Sequence, residues 1–246
     1  MRILTVIFLW SSLFASCTKW ADDPCKHQGG KKGKLEKVIN PFHHLEINQH
    51  LPCTIIYSDT PKIVIYGPSG SLPFISAEVK NDTLTLKNKN RCSWLRNYDQ
   101  SISVEIYTPF LHSINQKGSA DLSISKPFQT PKLIFYSEFY SGNVTFENLK
   151  TDTLMAWVNS SGSAFFDLKG KSKYTYLFIR GSSQINGLEF ETETAHLVSY
   201  SNGDIQMKAP NETIIAEIRY NGNIQVSKRP PNEKIVITGK GKYLYP

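Results

Sequence analysis

Apolar and polar residues alternate along the second half of the chain, and each alternating run follows a glycine. These glycines stand at positions 118, 142, 162, 181, 203, 222 and 241, so successive steps are 24, 20, 19, 22, 19 and 19 residues. Six of the seven runs are apolar at both the second and the fourth position after the glycine. A period of two predicts a β-strand with one face inward, and the steps suit one solenoid coil each.

A second apolar segment precedes several of these glycines, at residues 154–158, 174–179, 196–200 and 214–220. Glycine suits the tight turn between two such segments because it reaches positive φ without steric cost. A coil of two or three short strands cannot bury its inner face alone, whereas stacked coils bury a continuous interior. The pattern therefore predicts an all-β fold, a right-handed parallel β-helix with about 20 residues per coil. An antiparallel β-sandwich, whose strands also alternate, is the alternative.

The first half of the folded part is also rich in strands but lacks the glycine register. The predicted strands cover residues 45–47, 53–57, 62–66, 75–80, 83–87 and 102–107. Asn81 and Asp82 separate two alternating runs and predict a tight hairpin. Because the open end of a solenoid needs covering, we interpret this half as opening coils with an N-terminal capping hairpin, within one domain over residues 36–246. An independent small β-domain is the alternative.

The N-terminus follows a different pattern. Its apolar run over residues 3–14 is too short for a standard transmembrane helix and is typical of a secretory signal. Ala15 and Ser16 then precede Cys17, an order that resembles a bacterial lipobox. We therefore predict a lipoprotein signal peptide over residues 1–16 and lipidation of Cys17. An ordinary signal peptide with an incidental cysteine is the alternative.

Residues 17–35 are predicted to form a flexible basic tether between the lipid and the folded domain, because they include a tract rich in Gly and Lys. The tether contributes much of the formal net charge of +7. A solvated linker explains this charge, and attraction to anionic lipid or polysaccharide is the alternative. Nucleic-acid binding is not expected, since an exported chain rarely meets that ligand. The predicted location is the cell envelope, as an outer-membrane lipoprotein that is exposed at the surface or faces the periplasm.

With Cys17 lipidated, three cysteines remain, which is an odd number for an oxidising compartment. Cys25 lies in the predicted tether, whereas Cys53 and Cys92 lie in the folded part. We therefore favour a disulfide between Cys53 and Cys92. The cysteine spacing does not indicate a zinc site.

One unusual loop covers residues 88–100 and contains Trp94, Arg96 and Tyr98. Tryptophan, tyrosine and arginine are residue types that stack on sugars or anchor protein partners. The loop is therefore a candidate ligand site. The alternative is that Trp94 only closes the end of the apolar core.

The chain is not expected to be an enzyme. Hydrolases and lyases on β-helices need acidic or basic groups that converge from neighbouring coils onto one groove. Asp121, Asp167 and Asp204 instead stand at different positions relative to their glycines, and the pattern predicts that they are solvated on the outer face. The histidines are scattered, and no Ser-His-Asp arrangement or phosphate loop is evident. We predict no catalytic residue, no cofactor and no metal site.

The order of these features resembles one known family. They are the lipobox, an opening from Phe42 to residues 53–56, a hairpin over residues 79–86, and glycine-led coils such as residues 161–164 and 220–224. Over roughly residues 36–246 the chain resembles the Bacteroidetes auto-transporter adhesins with a head GIN domain, a domain of unknown function. The resemblance implies a right-handed β-helix, a cell-surface lipoprotein and no catalytic residues.

These observations together predict a non-catalytic surface adhesin or binding module for a glycan or a protein. A structural envelope component without a specific ligand and a polysaccharide-degrading enzyme are the alternatives. A row of aromatic residues on an exposed face, with Tyr220 and Tyr243 as candidate members, favours the binding module. A surface without aligned aromatic residues favours the structural component.

Overall fold

The computed structural model describes residues 30–90, 102–125, 127–138, 142–159 and 162–246. They form a parallel β-solenoid of about six turns with roughly 21 residues per turn, which confirms the predicted fold class. The β-sandwich alternative is wrong, because strands of successive coils pair in parallel. No helix in this described part of the chain is long and apolar enough to cross a membrane.

The described residues contain eighteen strands and one short 3-10 helix at Leu72–Phe74. The strands are β1 Lys32–Val38, β2 His44–Asn48, β3 Cys53–Tyr57, β4 Lys62–Pro68, β5 Ile75–Lys80, β6 Thr83–Asn88, β7 Ser103–Thr108, β8 Ser113–Lys117, β9 Leu122–Ser125, β10 Phe128–Glu138, β11 Asn143–Asn159, β12 Phe165–Gly181, β13 Gln184–Ser201, β14 Ile205–Met207, β15 Thr213–Ile218, β16 Ile224–Val226, β17 Asn232–Ile237 and β18 Tyr243–Leu244.

Two stacks of parallel strands form the principal walls of the solenoid. Wall A consists of β2, β8, β10, the C-terminal parts of β11, β12 and β13, and then β15 and β17. Wall B consists of β3, β9, the N-terminal parts of β11, β12 and β13, and then β14, β16 and β18. The long strands β11, β12 and β13 run through both walls and round the corner between them.

The core lies between the walls and consists of side chains at alternate positions. Phe166 is fully buried there, with ring centroids 5.0 Å from Phe135 and 5.3 Å from Phe146. Tilted and edge-on contacts of this kind are favourable for aromatic rings. The aromatic side chains of wall A and wall B therefore meet in the middle of the solenoid.

Buried hydroxyl groups line the corner between the walls. Thr130 Oγ1 donates to Leu111 O at 2.7 Å, and Thr151 Oγ1 donates to Pro131 O at 3.1 Å. Thr192 repeats this contact two turns further along, where its Oγ1 donates to Lys173 O. These bonds satisfy polar groups that would otherwise be costly to bury, and they join successive coils.

The turns at the glycines differ in length, which counting positions from each glycine did not predict. The pairing places Leu122 beside Val144 and Val144 beside Phe166, although these residues stand four, two and four positions after their glycines. A shift of two residues keeps the same strand face inward, so the predicted inward residues are nevertheless inward. At Gly222 the reason for glycine is space rather than positive φ, because an added Cβ would collide with the backbone oxygen of Gly203.

The first half of the domain continues the solenoid. Strand β2 pairs with β6 on one side and β8 on the other, and β3 pairs with β7 and β9. Strand pairing therefore joins the first half to the repeat region. The predicted capping hairpin is β5–β6, an antiparallel pair whose turn residues Asn81 and Asp82 have φ of 48° and 63°.

The start of the folded part differs from the prediction. Strand β1 begins at Lys32, inside the segment assigned to a flexible tether, and pairs antiparallel with β4. Leu35 packs against the core, and Glu36 forms an ion pair with Lys62 at 2.8 Å. Alternate burial along a Lys-rich strand explains why its composition resembled that of a linker.

Candidate functional site

Several residues that the sequence singled out lie outside the described residues. These are Cys17, Cys92 and the ligand-loop residues Trp94, Arg96 and Tyr98. Cys53 is buried, with its Sγ 3.2 Å from Leu51 O, and burial raises the pKa of its thiol. Since Cys92 lies outside the described residues, a bridge between Cys53 and Cys92 stays a prediction.

The outward side of wall B is polar. One register column along it consists of Ser123, Thr145, Asp167, Asn186, Gln206 and Gln225. We call this outward side the polar face. Asn186 Nδ2 donates to Asp167 Oδ1 at 2.8 Å, so neighbouring coils are joined through their side chains. Phe165 is an exposed aromatic residue on this face, with 42% of its surface accessible.

Like Asp167, the other two aspartates that the sequence placed on the outer face form hydrogen bonds to the neighbouring coil. Asp121 Oδ1 accepts a hydrogen bond from Asn143 N at 2.9 Å, and Asp204 Oδ1 accepts one from Asn223 N at 2.7 Å. The expectation that these carboxylates are merely solvated was therefore wrong. They are placed to satisfy turn N–H groups and do not converge on a groove.

The outward side of wall A carries aligned aromatic residues. The register places Tyr136 beside Trp157 and Trp157 beside Phe178, which we call the central column. A parallel second column consists of Ile134, Met155, Tyr176, His196 and Ile215. With Val198 and Tyr200 of β13, these ten residues form the aromatic platform. Its aromatic side chains are half-buried or exposed, so no other described residues cover it completely.

The platform is packed within itself. The ring centroids of Trp157 and Tyr176 are 5.2 Å apart, and those of Phe178 and Tyr200 are 5.7 Å apart. Val198 points outward yet has only 7% of its surface accessible, because its neighbours cover it. These contacts hold the rings in place and so reduce the entropy that a ligand would have to overcome.

Charged groups at the edges of the platform are paired. Glu217 Oε2 accepts from Arg219 at 2.6 Å, and Glu217 Oε1 lies 3.2 Å from His196 Nε2. The hydrogen bond from Arg219, followed by that from His196, lowers the pKa of Glu217. The hydroxyl group of Tyr136 donates to Glu138 at 3.1 Å. The platform therefore has no isolated charged side chain at its centre.

The two tyrosines that the sequence proposed for an aromatic row are not members of the platform. Tyr243 pairs beside the inward residue Ile224, and burial raises its pKa to about 12. Tyr220 is 48% exposed and lies in the turn after β15. A row of aromatic residues exists, but on the strands that precede the glycines.

Ser113, His44 and Asp82 lie close together near the first coil and are the residue types of a Ser-His-Asp catalytic triad. Ser113 Oγ is 2.7 Å from His44 Nδ1, whereas His44 Nε2 is 3.9 Å from Asp82 Oδ2, beyond hydrogen-bonding distance. Asp82 instead pairs with His43 Nδ1 at 2.9 Å. The N–H groups of His112 and Ser113 both donate to His43 O, so they do not offer an oxyanion hole. The sequence analysis missed this proximity, which lacks the geometry of a catalytic triad.

A shallow groove of about 350 Å³ lies at the corner that leads into wall A. Lys150 and Lys171 pair in register along it, and Lys173 forms an ion pair with Asp152 at 2.9 Å. Glu193 also lines the groove, so its charges are mixed. Among the residues that the structure describes, no group of three or more His, Cys, Asp or Glu could hold a metal ion.

Comparison with protein families decides the relationship. A family model described as "Putative auto-transporter adhesin, head GIN domain" matches residues 41–230. The chain belongs to this family. The family resemblance drawn from the lipobox, the hairpin and the glycine-led coils is thus confirmed.

Solved structures share the fold of this head GIN domain protein. A protein from Bacteroides fragilis described as a "putative adhesin" superposes with a TM-score of 0.80 at 22% identity, covering 89% of this chain and 99% of that one. A protein from Parabacteroides merdae with the same description gives a TM-score of 0.63 at 17% identity, covering 87% and 97%. A protein from Parabacteroides distasonis described as lipid binding gives 0.55 at 18% identity, also covering 87% and 97%. No curated protein matches the chain.

Proposed function

We propose that this head GIN domain protein is a non-catalytic cell-surface adhesin that recognises an extracellular glycan or protein through its aromatic platform. The observation that carries the proposal is the in-register column of Tyr136, Trp157 and Phe178 on the outside of wall A. Exposed apolar patches on folded proteins mark interaction sites, because water would otherwise disfavour them. The family is described as auto-transporter adhesins and a related solved structure as an adhesin, and both descriptions support the same conclusion.

A structural component of the envelope is the second candidate. It is favoured by the polar face, where side chains such as Asp204 and Asn223 join coil to coil and offer no evident ligand site. A purely structural solenoid has no need for half-buried aromatic rings on its other side. The platform therefore favours a role in ligand recognition over a purely structural role.

The first experiment is a screen of the purified full-length chain against immobilised glycans and extracellular-matrix proteins at moderate and high salt. We expect salt-resistant binding to a narrow class of ligand, because apolar contacts are screened little by ions. The variant Trp157→Ala should lose this binding, whereas Phe165→Ala, which removes an aromatic ring from the polar face, should keep it. Absence of binding to every probe would contradict the proposal.

The proposal includes an anchor at the N-terminus, through lipidation of Cys17. The predicted lipobox and the cell-surface role of an adhesin support it, since an adhesin needs attachment to its own cell. Metabolic labelling with a radioactive fatty acid should mark the wild-type chain and not Cys17→Ser. Equal labelling of the two chains would exclude Cys17 as the lipidated residue.

A further inference from the structure

The proposed function leaves the ligand of the platform open between glycan and protein, and the shape of the platform distinguishes them. It crosses five adjacent strands from β10 to β15, and four strand spacings amount to about 19 Å. Its two columns are separated by two residues along each strand, which is about 7 Å. The apolar surface is therefore long and narrow, with its long axis parallel to the solenoid axis.

This footprint is narrow for an interface with a folded protein. A standard protein interface covers roughly 800 Å² on each partner, so a folded partner would have to extend well beyond the two apolar columns. A second copy of the chain would face the same limit. A slender polymer needs only a narrow strip and gains from its length, because each additional unit contacts another coil.

The spacing of the central column also favours a polymer. Tyr136, Trp157 and Phe178 project from neighbouring strands of one wall, so their Cα atoms repeat at about 4.8 Å. Among the described residues, the rings of this column contact rings of the adjacent columns, Trp157 with Tyr176 and Phe178 with Tyr200. Successive rings of the column do not stack on each other. A repeating ligand can therefore contact successive coils in the same way.

The chemistry around the rings matches a sugar. A pyranose presents C–H groups on its faces and hydroxyl groups at its rim, and the faces of aromatic rings are electron-rich and attract such C–H groups. One edge of the platform carries the column Glu138, Asn159, Arg180 and Tyr200, which offers donors and acceptors for hydroxyl groups. Apolar surface with a few placed polar groups is the usual composition of a small-ligand site.

The charges favour a neutral ligand. Glu217 is held between Arg219 and His196, and Glu138 accepts the Tyr136 hydroxyl group. Glu138 and Arg180 have opposite signs within one edge column. The platform has no row of unpaired cationic side chains that would bind an acidic polysaccharide. The in-register lysines Lys150 and Lys171 lie in the separate corner groove.

From these observations we infer that the platform binds a neutral polysaccharide chain, which lies along the solenoid axis with its sugar faces over Tyr136, Trp157 and Phe178. This inference rests on the proposed function and narrows it to one ligand class. Affinity should rise with the length of the oligosaccharide until the chain covers the central column, and then become constant.

The test uses calorimetric titration of the full-length chain with neutral β-linked gluco-, manno- and xylo-oligosaccharides of increasing length. Trp157→Ala and Phe178→Ala should each weaken binding of the longest oligosaccharide by about tenfold, equivalent to about 1.4 kcal/mol, because each removes a ring that a sugar face would cover. Phe165→Ala is the matched control and should bind as the wild type does. Both platform variants should keep the fold with at most a modest drop in melting temperature, because each loses one half-buried outward ring and its ring contact while the inward core is unchanged.

Three other outcomes overturn the inference, and they differ in what they say of the proposed function. Binding of a matrix protein alone, lost in Trp157→Ala, would reject the glycan ligand and keep the adhesin. Binding of polygalacturonate alone, lost in Lys150→Ala with Lys171→Ala, would move the site to the corner groove. If no glycan or protein bound, both the inference and the proposed function would fail.

Discussion

The two outer faces of the solenoid are built from the same kind of strand, yet their side chains differ. On the polar face one column consists of Ser, Thr, Asn, Gln and Asp residues, and adjacent coils are joined by side-chain hydrogen bonds. On the outside of wall A the corresponding column consists of Tyr136, Trp157 and Phe178. The polar face stacks its coils without aligned aromatic residues, so the stacking of coils alone does not account for those on wall A. The difference supports the proposal that wall A serves recognition.

The largest expected effect on stability concerns the buried core, which lies behind both outer faces. Phe166→Asp should unfold the domain at a cost of several kcal/mol, because it places a charge among fully buried rings. Its neighbour Phe165 points outward on the polar face, so Phe165→Asp should change stability little. Thermal melting of the two variants checks this pair. Equal stability of the two would mean that the assignment of inward and outward positions is wrong.

The next largest effect concerns the turns that join wall A to wall B. Gly222→Ala should destabilise the domain by about 1–3 kcal/mol, because the added Cβ meets the backbone oxygen of Gly203. Backbone cannot move aside as a side chain can. Denaturant unfolding measures the change, and a variant as stable as the wild type would show that the stacked turns are looser than described.

The smallest effect concerns the charged edge of the platform. Arg219 and His196 lower the pKa of Glu217, so the Glu217 carboxylate stabilises the fold above its unfolded pKa, and this stabilisation is lost as the pH falls through the lowered pKa. Glu217→Gln should therefore cost less than about 1 kcal/mol at neutral pH, as partly exposed ion pairs do. The difference from the wild type should vanish in acid. A difference that persisted there would have another cause.

Much of the fold could be predicted from the sequence. The strands of the first half agree with the prediction to within about two residues at their ends, and Asn81 and Asp82 form the predicted turn. Alternation identified the inward residues after the first six glycines because the solenoid wall is one strand thick, whereas Tyr245 after Gly241 is exposed. The start of β1 was missed, because Lys32, Lys34 and Lys37 lie in a strand whose buried contacts are few.

The aromatic platform could not be predicted from the alternation of apolar and polar residues. Residues 154–158 and 176–179 are apolar at every position, a pattern that is typical of a strand buried on both sides. Inside a single-layered wall one set of these residues must instead face outward. Continuous apolar runs before the glycines, compared with alternating runs after them, were the available signal. Only the pairing of the strands shows that the outward residues align.

The most direct test of the recognition role compares the two faces in one binding measurement. A triple variant of the central column, Tyr136→Ser, Trp157→Ser and Phe178→Ser, is set against a triple variant of the polar face, Thr145→Ala, Asn186→Ala and Gln206→Ala. With the ligand identified in the screen, we expect the first variant to lose binding and the second to keep it, both remaining folded by thermal melting. If the first variant bound normally and the second did not, recognition would belong to the polar face.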